Sequence, residues 1–220
     1  MTFSLVGMCR RTGMFGAAVT TSSIGVGSRC AFARAGVGAV LTQHRTDPTL
    51  GPRGLDLLAG GLDAKAAVAA LVKDNPTIGW RQLAVIDTAG GTAHHHGAHI
   101  SSVHADAHGQ GCCAIANIVR STAIPGAMIE AFGRDDAVPL PERLLRGLEA
   151  GLSAGGEFKQ VKSAALLVVH QQPFAYVDLR VELDPRPLEE LRFLWETYQA
   201  QADLYVVRAV DPDALPYPER

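Results

Sequence analysis

Thr2 heads the segment Thr2-Phe3-Ser4-Leu5-Val6-Gly7 and stands one cleavage from being a free N-terminal threonine. Initiator methionine is readily removed when the second residue is this small. The freed α-amine, with an ordinary pKa of about 8, sits beside the hydroxyl it must activate. One residue then supplies both nucleophile and general base. The competing reading is a threonine that merely opens an edge strand.

Other residue types capable of chemistry are scattered along the chain. Asn117 interrupts an apolar run, where its side-chain N–H either stabilises an oxyanion or is satisfied by backbone in the core. Gln43, at the end of another strand-like run, either orients a substrate or caps the strand. Arg34 and Arg81 either neutralise an anionic substrate or form surface salt bridges. Six of the eight histidines fall between His94 and His108. On a strand, His94 and His96 share a face and His95 points away. Those two imidazoles plus one from the following loop have the donor types of a zinc site, yet no H-E-x-x-H spacing is present. A hydrophilic hairpin is the alternative, and a third reading has His96 line a substrate pocket as a pH-sensitive contact. Asp178 and Arg180 alternate on one strand and read as a structural pair. Cys9, Cys30, Cys112 and Cys113 contain no C-x-x-C pair and read as reduced, buried thiols. Gly36-x-Gly38 lacks the third glycine of a dinucleotide fingerprint.

These residues need elements to hold them. Residues 2–7 and 15–22 read as a β-hairpin, and 36–43 as a strand opened by glycines. Helices are expected over 52–60 and 63–73, where Asp63 is the natural N-cap. Strands at 81–87 and 92–96 pair across Gly90-Gly91, and another strand covers 112–119. A helix over 121–132 precedes a clearer one over 139–154, with Leu140, Leu144, Leu148 and Leu152 in register and Gly155-Gly156 as its stop. The apolar run 163–170 reads as a strand buried on both faces, and 176–183 as a strand with one wet face. A last helix covers 187–205. Hairpins outnumber βαβ units, so the sheets should be mostly antiparallel and covered by helices. Residues 1–210 read as a single domain, and 211–220, with three prolines, as an extended tail.

Apolar residues make up 47% of the chain and charged residues 19%, enough for a sizeable core. The net charge of −2 offers no basic surplus for a nucleic-acid partner. No apolar run approaches the roughly 20 residues of a membrane span, and no leader pattern opens the chain. No membrane association is expected, and the expected compartment is the cytoplasm.

Several stretches together resemble a known family. They are Thr2-Phe3-Ser4-Leu5-Val6, Gly16-Ala17-Ala18-Val19, 33–43, 51–58, Arg81-Gln82, Asn117, 144–156, Ser163-Ala164-Ala165-Leu166 and 177–181. The chain resembles an uncharacterised bacterial domain-of-unknown-function family of the N-terminal-nucleophile (Ntn) hydrolase-like superfamily, over nearly its whole length to about residue 195. The resemblance implies an α+β fold, a four-layer αββα sandwich of two antiparallel sheets flanked by helices. It implies a nucleophile at the first residue of the mature chain, here Thr2, and an amide bond as target. Relatives often carry an acidic, glycine-rich turn where this chain reads Gly155-Gly156-Glu157, and the histidine-rich stretch is unusual among them. The expectation is an amidohydrolase acting on a small metabolite or peptide-like substrate. Thr2 and Asn117 would be catalytic, and Gln43, His96 and Arg34 would contact the substrate. No cofactor is expected, and relatives of this architecture often pair as homodimers. The alternative is a non-catalytic member of the fold that binds a small ligand or metal.

Overall fold

Short, largely apolar runs buried on both faces build the first hairpin, β1 (Thr2–Cys9) and β2 (Met14–Thr21), in the computed structural model, which describes residues 1–73 and 75–215. A single helical turn, α1 (Gly27–Cys30), leads into β3 (Ala31–Arg34) and β4 (Gly38–Gln43). Then come α2 (Leu50–Ala59) and α3 (Ala64–Val72), the latter capped by Asp63, whose carboxylate accepts from the Ala66 amide at 2.7 Å. Strands β5 (Gln82–Ile86) and β6 (Thr92–His96) pair around Gly90, which takes the left-handed φ of +81° that the turn requires. Two further strands, β7 (His104–Gly109) and β8 (Cys112–Asn117), precede α4 (Ile124–Gly133) and α5 (Leu140–Ser153). The chain continues through β9 (Ser163–Val169), β10 (Ala175–Val181), α6 (Pro187–Tyr198) and α7 (Ala202–Val210).

The strands form two wholly antiparallel sheets. One has six strands in the order β10-β9-β2-β1-β8-β7, the other four in the order β3-β4-β5-β6. Phe3 and Leu5 of β1 pack outward with Leu144 and Leu148 of α5, Met128 of α4 and Leu191 of α6. Val6 and Met8, on the opposite face of β1, meet Ala39, Leu41, Ala84 and Ile86 of the smaller sheet. That sheet's outer face, with Val40 and Val85, carries Leu55 and Leu58 of α2 and Ala67 and Val68 of α3. The result is the expected four-layer αββα sandwich.

The differences from expectation have local causes. β3 is four residues long and only half buried, too short for a periodic signal. β7, with the sequence His-Ala-Asp-Ala-His-Gly, turns histidine and aspartate inward where a strand normally turns apolar groups. Leu152 leaves the α5 stripe and is 43% exposed, because steps of four residues drift around a 3.6-residue helix and at this turn Gly147 and Gly151 face the sheet. The last helix breaks at a 3-10 turn, Gln199–Gln201. Pro212–Ala214 of the expected tail forms a further 3-10 turn, and 216–220 lie outside the described residues. Asp178 and Arg180 make the anticipated pair, with bonds of 2.7 and 2.9 Å. All four cysteines are free and buried. Among the described residues no helix is long and apolar enough to cross a membrane.

Candidate functional site

Period two along β1 puts Thr2 and Ser4 on the same face as Val6 and Met8, pointing between the sheets. The register carries the pattern sideways: Thr2 pairs with Asn117, and Asn117 with His104. On the facing sheet Gln43 pairs with Gln82, and Gln82 with His96. The inter-sheet layer is therefore apolar over most of its length and polar at one end. Thr2, Ser4, Thr21, Gln43, Gln82 and Asn117 are all buried there.

A burial this polar needs partners, and the side chains supply them as a chain. Ser4 Oγ donates to Gln43 Oε1 at 2.7 Å, and Gln43 Nε2 to Gln82 Oε1 at 2.5 Å. Asn117 Nδ2 donates to the same Gln82 oxygen at 2.9 Å. Gln82 Nε2 donates to the Ala116 carbonyl at 2.9 Å and meets His96 Nδ1 at 2.8 Å. His96 Nε2 lies 3.0 Å from Asp106 Oδ1, and His94 Nε2 is 3.3 Å from that oxygen. Burial lowers the pKa values of His94 and His96, with Asp106 partly opposing it. The network thus runs from beside Thr2 to the open edge between β6 and β7. Asn117 Oδ1 is buried without a partner.

Thr2 is only 6% exposed and lies on the wall of a cleft of about 530 Å³. Its hydroxyl is 3.4 Å from that of Thr21, and both hydroxyls donate to the Met1 carbonyl. Arg29, Arg45, Lys159 and Lys162 line the same cleft, and among the described residues no acidic side chain does. Among the described residues, none of these four cations makes a salt bridge. Arg29 is held by the Ile24 and Gly25 carbonyls and by Ser23 Oγ. Arg45 lies over the Trp80 ring at 3.9 Å. His44 and Arg45 are consecutive non-glycine residues with φ of +56° and +43°, a costly conformation that fixes the loop on the cleft wall. Glu157 lies just behind. It is 4% exposed and accepts from the Ser22 amide at 3.0 Å, and burial pushes its carboxyl up to about 7.

The sequence-derived candidates divide accordingly. Thr2, Asn117, Gln43 and His96 converge on this end of the sandwich, the last three through Gln82. Gln43 has no exposed surface, its amide is bonded to Ser4 and Gln82, and it does not line the cleft. Arg34 pairs with Asp56 of α2 at 2.8 Å on the outer layer and does not line the cleft. Arg81 is likewise spent locally, on Thr77 Oγ1. Sequence reasoning gave no role to Ser4, Gln82, Asp106, Arg45 or Glu157. The available signals were the acid after Gly155-Gly156 and the inward i, i+2 spacing of His104, Asp106 and His108.

A family model described as a family of unknown function, DUF1028, matches residues 2–191. The protein SPO2555 from Silicibacter pomeroyi, assigned to the same family model, has a crystal structure similar to this chain. Identity is 28% and the TM-score 0.83, with 90% of this chain and 85% of that one covered. Anbu, the ancestral β-subunit from Yersinia bercovieri, aligns over 99% of this chain and 100% of its own at 11% identity and a TM-score of 0.43. No curated protein matches the chain.

Proposed function

The chain belongs to the DUF1028 family, and on that premise we propose that it is an Ntn-type amidohydrolase acting on a small anionic amide, with Thr2 as nucleophile after removal of Met1. The observation that carries this reading is the place of Thr2. It begins a central strand, turns its hydroxyl between the sheets and forms part of the cleft wall.

Loss of Met1 removes the carbonyl that now occupies the Thr2 and Thr21 hydroxyls. The Thr2 α-amine then takes the proton from Oγ1 as that oxygen attacks the amide carbonyl. The tetrahedral intermediate collapses with transfer of the proton to the departing amine. Water, deprotonated by the same α-amine, cleaves the resulting ester and regenerates Thr2. Asn117 Nδ2 has one N–H not committed to Gln82 and pairs in register with Thr2; it has no exposed surface, so it becomes the oxyanion donor only once loss of Met1 opens the cleft to it. Arg45 and Arg29, with Lys159 and Lys162, take the anion-neutralising role expected of Arg34. Four unpaired cations around one cleft favour a substrate with a carboxylate near the scissile bond.

N-terminal sequencing of untagged protein, followed by turnover assays on N-acyl amino acids, tests the reading. A threonine start, turnover, and its loss in Thr2→Ala with an unchanged circular dichroism spectrum are expected. Retained Met1 on active protein, or full activity in Thr2→Ala, overturns it.

A further inference from the structure

We propose that His94, His96 and Asp106 form a binding site for a divalent transition-metal ion of the zinc type, bridging the open edge between the two sheets. β6 is an edge strand of the four-stranded sheet and β7 an edge strand of the six-stranded one. They belong to different layers, yet each turns polar groups inward at the same level. One ligand atom from each of the three residues lies within 4.8 Å of the others.

The spacing fits an ion. Zinc holds imidazole nitrogen and carboxylate oxygen at about 2.0–2.2 Å in a tetrahedron, which sets neighbouring donor atoms roughly 3.3 Å apart. His94 Nε2 and His96 Nε2 stand 3.3 and 3.0 Å from Asp106 Oδ1. Two imidazoles and one carboxylate suit zinc and its first-row neighbours better than magnesium or calcium, which prefer all-oxygen shells. The three side chains are 31%, 16% and 29% exposed, which leaves a side open for a water ligand.

The surroundings hold both rings with Nε2 turned to the site. His94 Nδ1 is 2.8 Å from His108 Nε2, and His108 Nδ1 is 2.7 Å from Thr92 Oγ1. His96 Nδ1 is 2.8 Å from the Gln82 amide. Outer partners of this kind fix ring orientation at metal centres. Metal on His96 Nε2 places the ring proton on Nδ1, so Gln82 must present its amide oxygen there, giving up its bond to Ala116. The Gln82 amide hydrogens then face Gln43 and Asn117. Asn117 Oδ1, buried without a partner in the metal-free arrangement, can turn to accept one of them. The assignment of these three ligands does not rest on Thr2 being the nucleophile.

The test uses the full chain, stripped with chelator, incubated with zinc sulfate and gel-filtered before elemental analysis. One zinc per chain is expected, with zinc affinity at least tenfold weaker in His96→Ala and in Asp106→Asn. His170→Ala, a remote histidine bonded to the Thr12 carbonyl, should bind normally. Should the variants fail to fold, cobalt(II) added to the unmutated chain should give the strong visible absorption of four-coordinate cobalt. Absence of both zinc and that absorption, or equal zinc retention in a folded His94→Ala/His96→Ala/Asp106→Asn variant, overturns the proposal.

Discussion

Glu157 Oε2 accepts the Ser22 amide hydrogen at 3.0 Å, pinning the turn that follows α5 to the end of β2 beside Thr2. The other carboxylate oxygen, Oε1, is buried without a partner. Burial is the largest influence on this group, and it pushes the carboxyl up to about 7. An unfolded glutamate titrates near about 4.3. Between those values the folded chain binds the extra proton. Stability from this group is therefore full below about pH 4.3 and declines as pH rises through about 7. Glu157→Gln should flatten that decline, which for a carboxyl moved from about 4.3 to about 7 is roughly 3–4 kcal/mol. Urea unfolding of both proteins across this range measures it. Identical slopes for Glu157→Gln and the unmutated chain would remove Glu157 as the source.

Arg45 stacks 3.9 Å over Trp80 on a loop with two left-handed residues, and among the described residues its guanidinium makes no hydrogen bond, unlike that of Arg29. The Arg45 side chain lines the cleft and has no salt-bridge partner among the described residues. Arg45→Ala should raise KM for N-acyl amino acids about tenfold, as loss of a charge-assisted hydrogen bond would. Their neutral methyl amides should be unaffected, and kcat should hold. An equal loss on charged and neutral substrates would mean that Arg45 acts through the loop and not on the anion.

Periodicity made the scaffold legible. The short apolar runs of β1 and β2 are buried on both faces, and the Leu140-Leu144-Leu148 stripe follows from one helix face meeting the sheet. β7 escaped because its inward face is His104, Asp106 and His108, whose partners are other histidines and not the core. Thr2 and Asn117 were legible as chemistry-bearing types, and strand register puts them side by side. Gln82 and Glu157 were not. Each acquires its role from a strand or turn that is distant in sequence, and no spacing within the chain encodes that approach.

Close helix–sheet packing gives a direct stability prediction at Gly16 of β2. A Cβ there would lie 2.7 Å from Leu144 Cδ1 and 2.7 Å from the Leu167 carbonyl oxygen. The leucine can shift, but the carbonyl belongs to the β2–β9 ladder. Gly16→Ala should destabilise by roughly 1–3 kcal/mol, as overpacking does, and lower Tm by roughly 2–4 °C per kcal/mol in a chain of this size. Calorimetry with an unchanged Tm would mean that α5 sits less tightly on the sheet than these distances require.

Gln82 is the hub of the polar layer, joining Gln43, Asn117, His96 and the Ala116 carbonyl with no exposed surface. Gln82→Leu keeps most of the volume and removes every one of those bonds. Gln43 Nε2, Asn117 Nδ2 and the Ala116 carbonyl would each lose a partner away from water, at about 1–3 kcal/mol per orphaned group before relaxation. Partial repacking should leave a net loss of roughly 2–4 kcal/mol, larger than an ordinary surface change. Gln82→Glu retains one acceptor and tests the direction of the bonds, because its ionised carboxylate accepts from Gln43 and Asn117 but cannot donate to Ala116 or His96. His96 would then have to donate from Nδ1 while Nε2 still faces Asp106 at 3.0 Å, so the ring is held doubly protonated between two carboxylates. NMR of the imidazole nitrogens reads the number of ring protons directly. A singly protonated His96 ring in Gln82→Glu would show that Gln82 does not set the state of His96.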